Sequence, residues 1–322
     1  MSGRQQQDQK IEQWIADNLK GLPEIFSLFA MDIKLNSKRK KVASPATMKV
    51  YLQRVEYFYK YMEAKGKSIY DARYSDITAF KSSLENKSPA YLNLTLAAIN
   101  RFYDFLVKDD RIAKNPCADQ VGREVPEKEE IVYMEDHELK DVLVGIKRAA
   151  NRKTAKYKNR DLCLIQLGCY TGLRISEILN IDIEDIDLEN GLIKNVYTKG
   201  HRDKGRTIVI GDQTQKAIMD WLVDRERIFG NSFGPLFVNP SGKRISAAGV
   251  RKMLHKETAC LGKNITPHKM RTTCGMRTYE YSHDLNAVAK KLGHAKVETS
   301  RIYADLTEKR EQEITNGIEI RF

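Results

Sequence analysis

No stretch of about 20 apolar residues occurs anywhere in the chain, which argues against a membrane-spanning helix. The opening MSGRQQQDQKIEQW holds no apolar run that would serve as a signal peptide, so a soluble, cytoplasmic protein is expected. Cysteine is scarce: Cys117, Cys163, Cys169, Cys260 and Cys274 are odd in number, and none forms a C-x-x-C pair. Neither a disulfide framework nor a zinc site is expected from that set. A G-x-x-x-x-G-K-[ST] loop is missing, as is any evident carboxylate cluster for magnesium, so no ATP, metal or other cofactor is expected.

What the chain does have is positive charge. Lys and Arg total 55 against 43 Asp and Glu, a formal net charge of +12 spread along 322 residues. Such an excess suits a polyanionic partner, nucleic acid before an anionic membrane surface, although many soluble proteins carry it on solvated faces. At roughly 150 residues per domain, the length predicts two domains, each with its own core.

The apolar pattern divides accordingly. Residues 1–36 hold one short amphipathic candidate, Ile11, Trp14, Ile15 and Leu19, and are read as an N-terminal extension serving as an arm or interface helix. The run Lys38, Arg39, Lys40, Lys41 follows, a solvated linker or a phosphate contact. Ser44 and Pro45 are a start signal for a helix with the stripe Tyr51, Leu52, Val55, Phe58, Tyr59 and Met62. Ile77, Phe80 and Leu84 mark a second helix. Ser88-Pro89 opens a third, carrying Leu92, Leu96, Ile99, Phe102, Phe105 and Leu106. These aromatics recur at the spacing of a buried helical face, so they read as core rather than as a base-stacking surface. Residues 37–117 are thus expected to form a helical bundle.

Residues 118–130 are short, charged and broken by Pro and Gly, as an exposed linker would be, which leaves 131–322 as the second domain. There, helices are expected at about 136–150 and 159–170, followed by a Gly-containing turn in TGLRISEIL. Strands are expected at Leu192 to Tyr197 and Arg206 to Ile210, joined by the polar loop 198–205, with helices again beyond. The expected class is mainly α with a small β-sheet.

Four local patterns in the second domain bear on chemistry: TGLR at 171–174, TKG at 198–200, HKMR at 268–271, and LGH at 292–294 followed by Tyr303. Each alone has an ordinary explanation. Arg174 can pair with Glu177 or Glu184, Lys199 can be a hairpin lysine, His268 can cap a helix after Pro267, and Tyr303 can pack. In their order and spacing, however, they resemble the tyrosine recombinase (phage integrase, Xer-like) family residue by residue. TGLRISEIL supplies Arg174 with Glu177, Lys199 matches the hairpin lysine, His268 and Arg271 the H-x-x-R box, and His294 the L-G-H box. Tyr303 stands nine positions further on, where the family has its nucleophile. The resemblance covers about 115–322 well, and the preceding bundle matches the family's core-binding domain less specifically. In the box, Met270 stands where Leu is common, and Thr272-Thr273 where many relatives have His-Thr. Neither change removes a functional group.

The resemblance implies an enzyme that cuts and rejoins DNA through a 3′-phosphotyrosine and a Holliday junction. The outcome would be integration or excision of a mobile element, or resolution of chromosome dimers. It also implies a homotetramer on double-stranded DNA recombination sites, with C-terminal tails exchanged between protomers and accessory DNA-bending proteins as further partners. Ile314, Ile318 and Ile320 are the candidate tail anchors.

The residue types suit that chemistry. An attacked phosphodiester gains negative charge on its non-bridging oxygens, and Arg174 and Arg271 can present forked donors that stay protonated. His268, at i, i+3 from Arg271, shares its helical face and is the candidate general acid or base for Tyr303. A phenol with a pKa near 10 needs such a base or nearby cations to attack at neutral pH. Lys199, with Lys204 as alternative, is the candidate acid for the leaving 5′ oxygen, and His294 a donor to a non-bridging oxygen. Tyr279, Tyr281 and His283 are expected to pack or lie at the surface, and His201 to lie at the surface or touch a phosphate. Competing readings are a non-catalytic DNA-binding protein of the same fold and a type IB topoisomerase or hairpin-telomere resolvase.

Overall fold

The computed structural model describes Gln13 and residues 21–35, 45–117, 131–148, 155–198, 201–230, 232–294 and 296–307. The chain divides into two compact units, Met1–Glu129 and Glu130–Phe322. Among the described residues it is mainly helical, with one small antiparallel sheet in the second unit.

The first unit is built from α1 (Glu24–Leu35), α2 (Pro45–Ala64), α3 (Tyr74–Ser82) and α4 (Pro89–Lys108). Of the aromatic positions singled out in the sequence, Phe58, Phe80, Phe102 and Phe105 are buried and Tyr51 and Tyr59 half-buried; Tyr103, not singled out there, is buried as well. Phe58 meets Phe80 edge-on at 5.0 Å, a favoured aromatic geometry. Tyr103 satisfies its buried hydroxyl by donating to the Ile69 carbonyl at 2.8 Å. Ser88 caps α4 by accepting from the Tyr91 N–H, with Pro89 at the first helical position.

Helix α1 lies within the span set apart as an extension, yet it joins this core. Ile25, Phe26, Phe29, Ala30 and Ile33 are buried, Phe29 lies edge-on to Phe102 at 5.1 Å, and Asp32 pairs with Arg101 of α4. The recurring apolar positions of EIFSLFAMDI are the physical cause. The 11–19 candidate helix, the basic run 38–41, Ser44, the linker 118–130 and the tail isoleucines lie outside the described residues.

In the second unit, α5 (Asp136–Arg148) precedes α6 (Lys158–Thr171), which is buried nearly all round from Arg160 to Cys169. A helix apolar on every side is a core helix. Its buried charged residues are paired, Arg160 with Asp161 and with the Val238 carbonyl. After the short α7 (Ile175–Leu179) come β1 (Ile186–Asp187), β2 (Leu192–Thr198) and β3 (His201–Val209), in the order β1-β2-β3.

The third strand runs through most of what reads in sequence as loop 198–205, its ladder reaching the pair Thr198↔His201. Backbone pairing needs no apolar alternation, so a polar strand end of this kind leaves no hydropathy signal. The register slips on either side of Val196, where Asn195 has a positive φ of 55°. Gly205 lies directly against the Asn195 backbone.

The remaining helices are α8 (Asp212–Phe229), α9 (Ala247–Glu257), α10 (Pro267–Ser282) and α11 (Leu285–Leu292), followed by a 3₁₀ turn Val297–Ser300 and helical residues 301–307. Helices α6 and α10 approach closely because Gly168 offers no side chain: a Cβ there would fall 2.8 Å from the Met270 methyl. Met270 thus fills the space over that glycine.

Candidate active site

The TGLR turn is shaped by a glycine. Helix α6 ends at Gly172 with φ 65°, a left-handed cap that glycine adopts without Cβ strain. The surroundings are equally exclusive, since a Cβ at 172 would come 2.4 Å from a Leu292 methyl. The chain then turns so that Arg174 precedes α7 and its N–H donates to Glu177 Oε2 at 2.9 Å. The Arg174 guanidinium donates to Glu177 Oε1 at 3.2 Å, so Glu177, not Glu184, is its partner. Glu184 instead accepts from the Gly234 N–H. The Glu177 side chain is only 1% exposed against 40% for Arg174. A buried carboxylate therefore steers a cation whose head remains reachable.

Arg271 comes from α10, which Thr266 caps by accepting from the Lys269 N–H, with Pro267 at the first helical position. The capping role that His268 alone would have suggested thus belongs to Thr266. Arg271 is buried and donates from Nη1 to the Gly172 carbonyl at 2.6 Å, tying α10 to the TGLR turn. Burial first, then the neighbouring Arg174, lowers its pKa, while Glu177 and Tyr303 act in the opposite sense. Arginine stays charged through any such shift. His268, one turn earlier, is exposed.

His294 follows the left-handed Gly293 at the end of α11. Its N–H donates to the Ala289 carbonyl, and its ring Nδ1 lies 2.9 Å from the Ser300 hydroxyl. Burial, then Arg271, Arg174 and His268, holds its pKa below the usual histidine range.

Tyr303 is buried among Cys274, Met276, Val288 and Leu292. Its ring lies against the bare backbone of Gly275, where a Cβ would stand 2.4 Å from Cζ and 2.6 Å from the hydroxyl oxygen. Burial raises its pKa, and Arg271 opposes this only in part. The neighbouring cations therefore do not bring the phenol below its ordinary range, contrary to what their presence alone would suggest.

The fold thus brings Arg174, His268, Arg271, His294 and Tyr303 into one electrostatic neighbourhood. Lys199 lies outside the described residues, as do the side chains of Lys204 and His201. Tyr281 is 93% exposed, Tyr279 packs at the edge of the Tyr303 cluster, and His283 ends α10 in a left-handed conformation.

Three neighbours of this group went unnoticed in the sequence. Gly275, inside a helical pattern, is the kind of glycine that marks a close approach. Ser300 has no local signal beyond lying between His294 and Tyr303. Arg206 is a half-buried charge on the strand face whose other members, Ile208 and Ile210, are buried, which period-two reading exposes. Its Nη2 donates to Glu177 Oε2 at 3.3 Å.

Residues 137–310 match the model of the phage integrase family, and 37–110 that of the phage integrase N-terminal SAM-like domain. The tyrosine recombinase XerC of Escherichia coli O127:H6 (strain E2348/69 / EPEC) is 30% identical over 274 residues, covering 82% of this chain and 86% of that protein. Among solved structures, the fold is similar to the XerH site-specific recombinase bound to palindromic difH substrate in a post-cleavage complex. The TM-score there is 0.71 at 23% identity, covering 89% of this chain and 84% of that one. It is also similar to the Tn1549 transposon integrase in complex with transposon right end DNA. In that case the TM-score is 0.67 at 18% identity, over 90% of this chain and 99% of that one.

Proposed function

Because this chain belongs to the phage integrase family, we propose that it is a site-specific DNA recombinase that cuts and rejoins strands through a covalent 3′-phosphotyrosine. The observation that carries the reading is the tie between Arg271 and the TGLR turn, which puts two guanidiniums in one another's field beside Tyr303. The single carboxylate of Glu177 faces the guanidiniums of Arg174, Arg206 and Arg271, which leaves an excess of positive charge, and a phosphate is an anion that forked donors fit.

In this reading Arg174 and Arg271 hold the non-bridging oxygens of the scissile phosphate, and His294 donates to one of them as charge grows in the transition state. The Tyr303 oxygen attacks phosphorus, its proton passing to His268 or solvent. The P–O5′ bond breaks, and the leaving 5′ oxygen takes a proton from Lys199. The Tyr–O–P bond conserves the energy of the phosphodiester, so a 5′ hydroxyl from a second strand reverses the step without an external energy source.

DNA recombination sites are the substrate, and pairwise strand exchange through a Holliday junction calls for a tetramer on two sites. Exchange of C-terminal tails, the involvement of DNA-bending proteins and action at the nucleoid belong to the same proposal. Among the described residues, no helix is long and apolar enough to cross a membrane.

The test is to incubate the protein and Tyr303→Phe with nicked duplexes drawn from the DNA flanking the gene, then separate under denaturing conditions. A DNA adduct from the unaltered protein alone is expected. An adduct persisting in Tyr303→Phe would remove Tyr303 as nucleophile, and tight binding without any adduct would favour the non-catalytic reading.

A further inference from the structure

Arg206 is a charged residue on the inward face of β3, and the structure gives its guanidinium two tasks. Nη2 donates to Glu177, the carboxylate that also receives Arg174. Nη1 lies so close to Gly293 that a Cβ there would sit 2.4 Å from it. Gly293 has φ 66° and delivers His294 immediately afterwards. One planar fork therefore stands between the TGLR turn and the LGH turn.

Its Nε is a buried donor that finds no acceptor among the described residues. An orphaned buried N–H is unfavourable, and lysine at this position would avoid it. A lysine, however, is a single point charge and cannot reach the carboxylate while its other face fills the space above Gly293. The arrangement sacrifices local hydrogen bonding for geometry, as functional sites do.

We propose that Arg206 is a positioning residue for the reaction: it locks Glu177, and through it the Arg174 guanidinium, at a fixed offset from the Gly293–His294 turn. It touches neither the phosphate nor Tyr303 and acts through Arg174. Because it belongs to β3, which pairs antiparallel with β2, it also ties that strand pair to Glu177 and the Gly293–His294 turn. The inference rests on the recombinase reading and adds a residue to it.

The test compares the unaltered full chain with Arg206→Ala, Arg206→Lys and Arg174→Ala in single-turnover cleavage of the nicked duplex that yields adduct. A second duplex carries a methylphosphonate at the scissile position. That group has one fewer negative charge, so it depends less on a guanidinium clamp. On the ordinary phosphate, Arg206→Ala is expected to cleave about 100-fold more slowly, the scale of a misplaced catalytic group, with unchanged DNA affinity. Arg206→Lys, which keeps charge and fold, should recover less than about tenfold of that loss.

On the methylphosphonate the deficits of Arg206→Ala and Arg174→Ala should shrink together, which a loosened fold would not produce. A deficit equal on both duplexes, or full activity in Arg206→Lys, overturns the positioning role. Absence of adduct from the unaltered protein on every duplex would instead overturn the recombinase reading and this inference with it.

Discussion

The ring Nδ1 of His294 and the hydroxyl of Ser300 lie 2.9 Å apart, and Ser300 is completely buried. When the serine donates, the ring proton sits on Nε2, free to donate to a phosphate oxygen. Ser300→Ala is expected to slow cleavage about tenfold, equivalent to about 1.4 kcal/mol, while leaving DNA affinity intact. Single-turnover adduct formation at saturating DNA measures this. Loss of affinity with an unchanged rate would mean that the serine orients nothing.

The contact between Tyr303 and Gly275 predicts a coupling. Gly275→Ala places a methyl within the tyrosine ring and should lower unfolding stability by about 1–3 kcal/mol, the usual range for overpacking. In a Tyr303→Ala background the ring is absent and most of that cost should vanish. Urea unfolding of both single variants and the double variant closes the cycle. Equal costs in the two backgrounds would show that the ring does not rest there.

At Gly172 conformation and space act together, through a φ of 65° and a Leu292 methyl 2.4 Å from any added Cβ. Gly172→Ala should cost about 2–4 kcal/mol, more than the same change at the open, solvent-side Gly145, where nothing lies within reach. Thermal melts of the two variants decide it, and similar melting points would contradict the assigned packing.

His294 supplies a pH dependence. Its folded pKa lies below the usual value because of burial and then Arg271, Arg174 and His268. The unfolded chain therefore binds a proton near pH 6.5 that the folded chain resists. The stabilisation is complete above about pH 6.5 and is lost as pH falls toward the folded pKa, since the unfolded state then holds more protons. Melting temperature of the DNA-free protein should fall more steeply between about pH 7 and about 5.5 than that of His294→Asn. Identical slopes would mean that His294 titrates normally.

Much of this architecture was legible beforehand because helices with one apolar face announce themselves. Phe58, Phe80 and Phe102 recur at helical spacing and are the buried positions of the first unit. Helix α1 was missed because short apolar runs near a polar terminus carry little weight until Asp32 and Arg101 are known to pair across 69 positions. The polar end of β3 left no trace because strand pairing needs no apolar alternation. Among the candidate site residues, Arg174, Arg271, His294 and Tyr303 stand in motifs that the sequence displays, whereas Arg206 and Ser300 are seen only through their contacts with Glu177 and His294. Such residues acquire meaning only when the chain has brought their partners to them.

The cap of α10 has a consequence for the whole site. His268, Arg271 and Gly275 occupy positions i, i+3 and i+7, and each residue advances a helix by about 100° and 1.5 Å. Thr266 and Pro267 set the phase from which all three are counted. Insertion or deletion of one residue between 268 and 275 would turn the members on its two sides away from one another by about 100°, so that His268, Arg271 and the glycine on which Tyr303 rests would no longer share their present relation. A chain descending from this one can lengthen at the His283 turn with far less loss than it can slip by one residue inside α10.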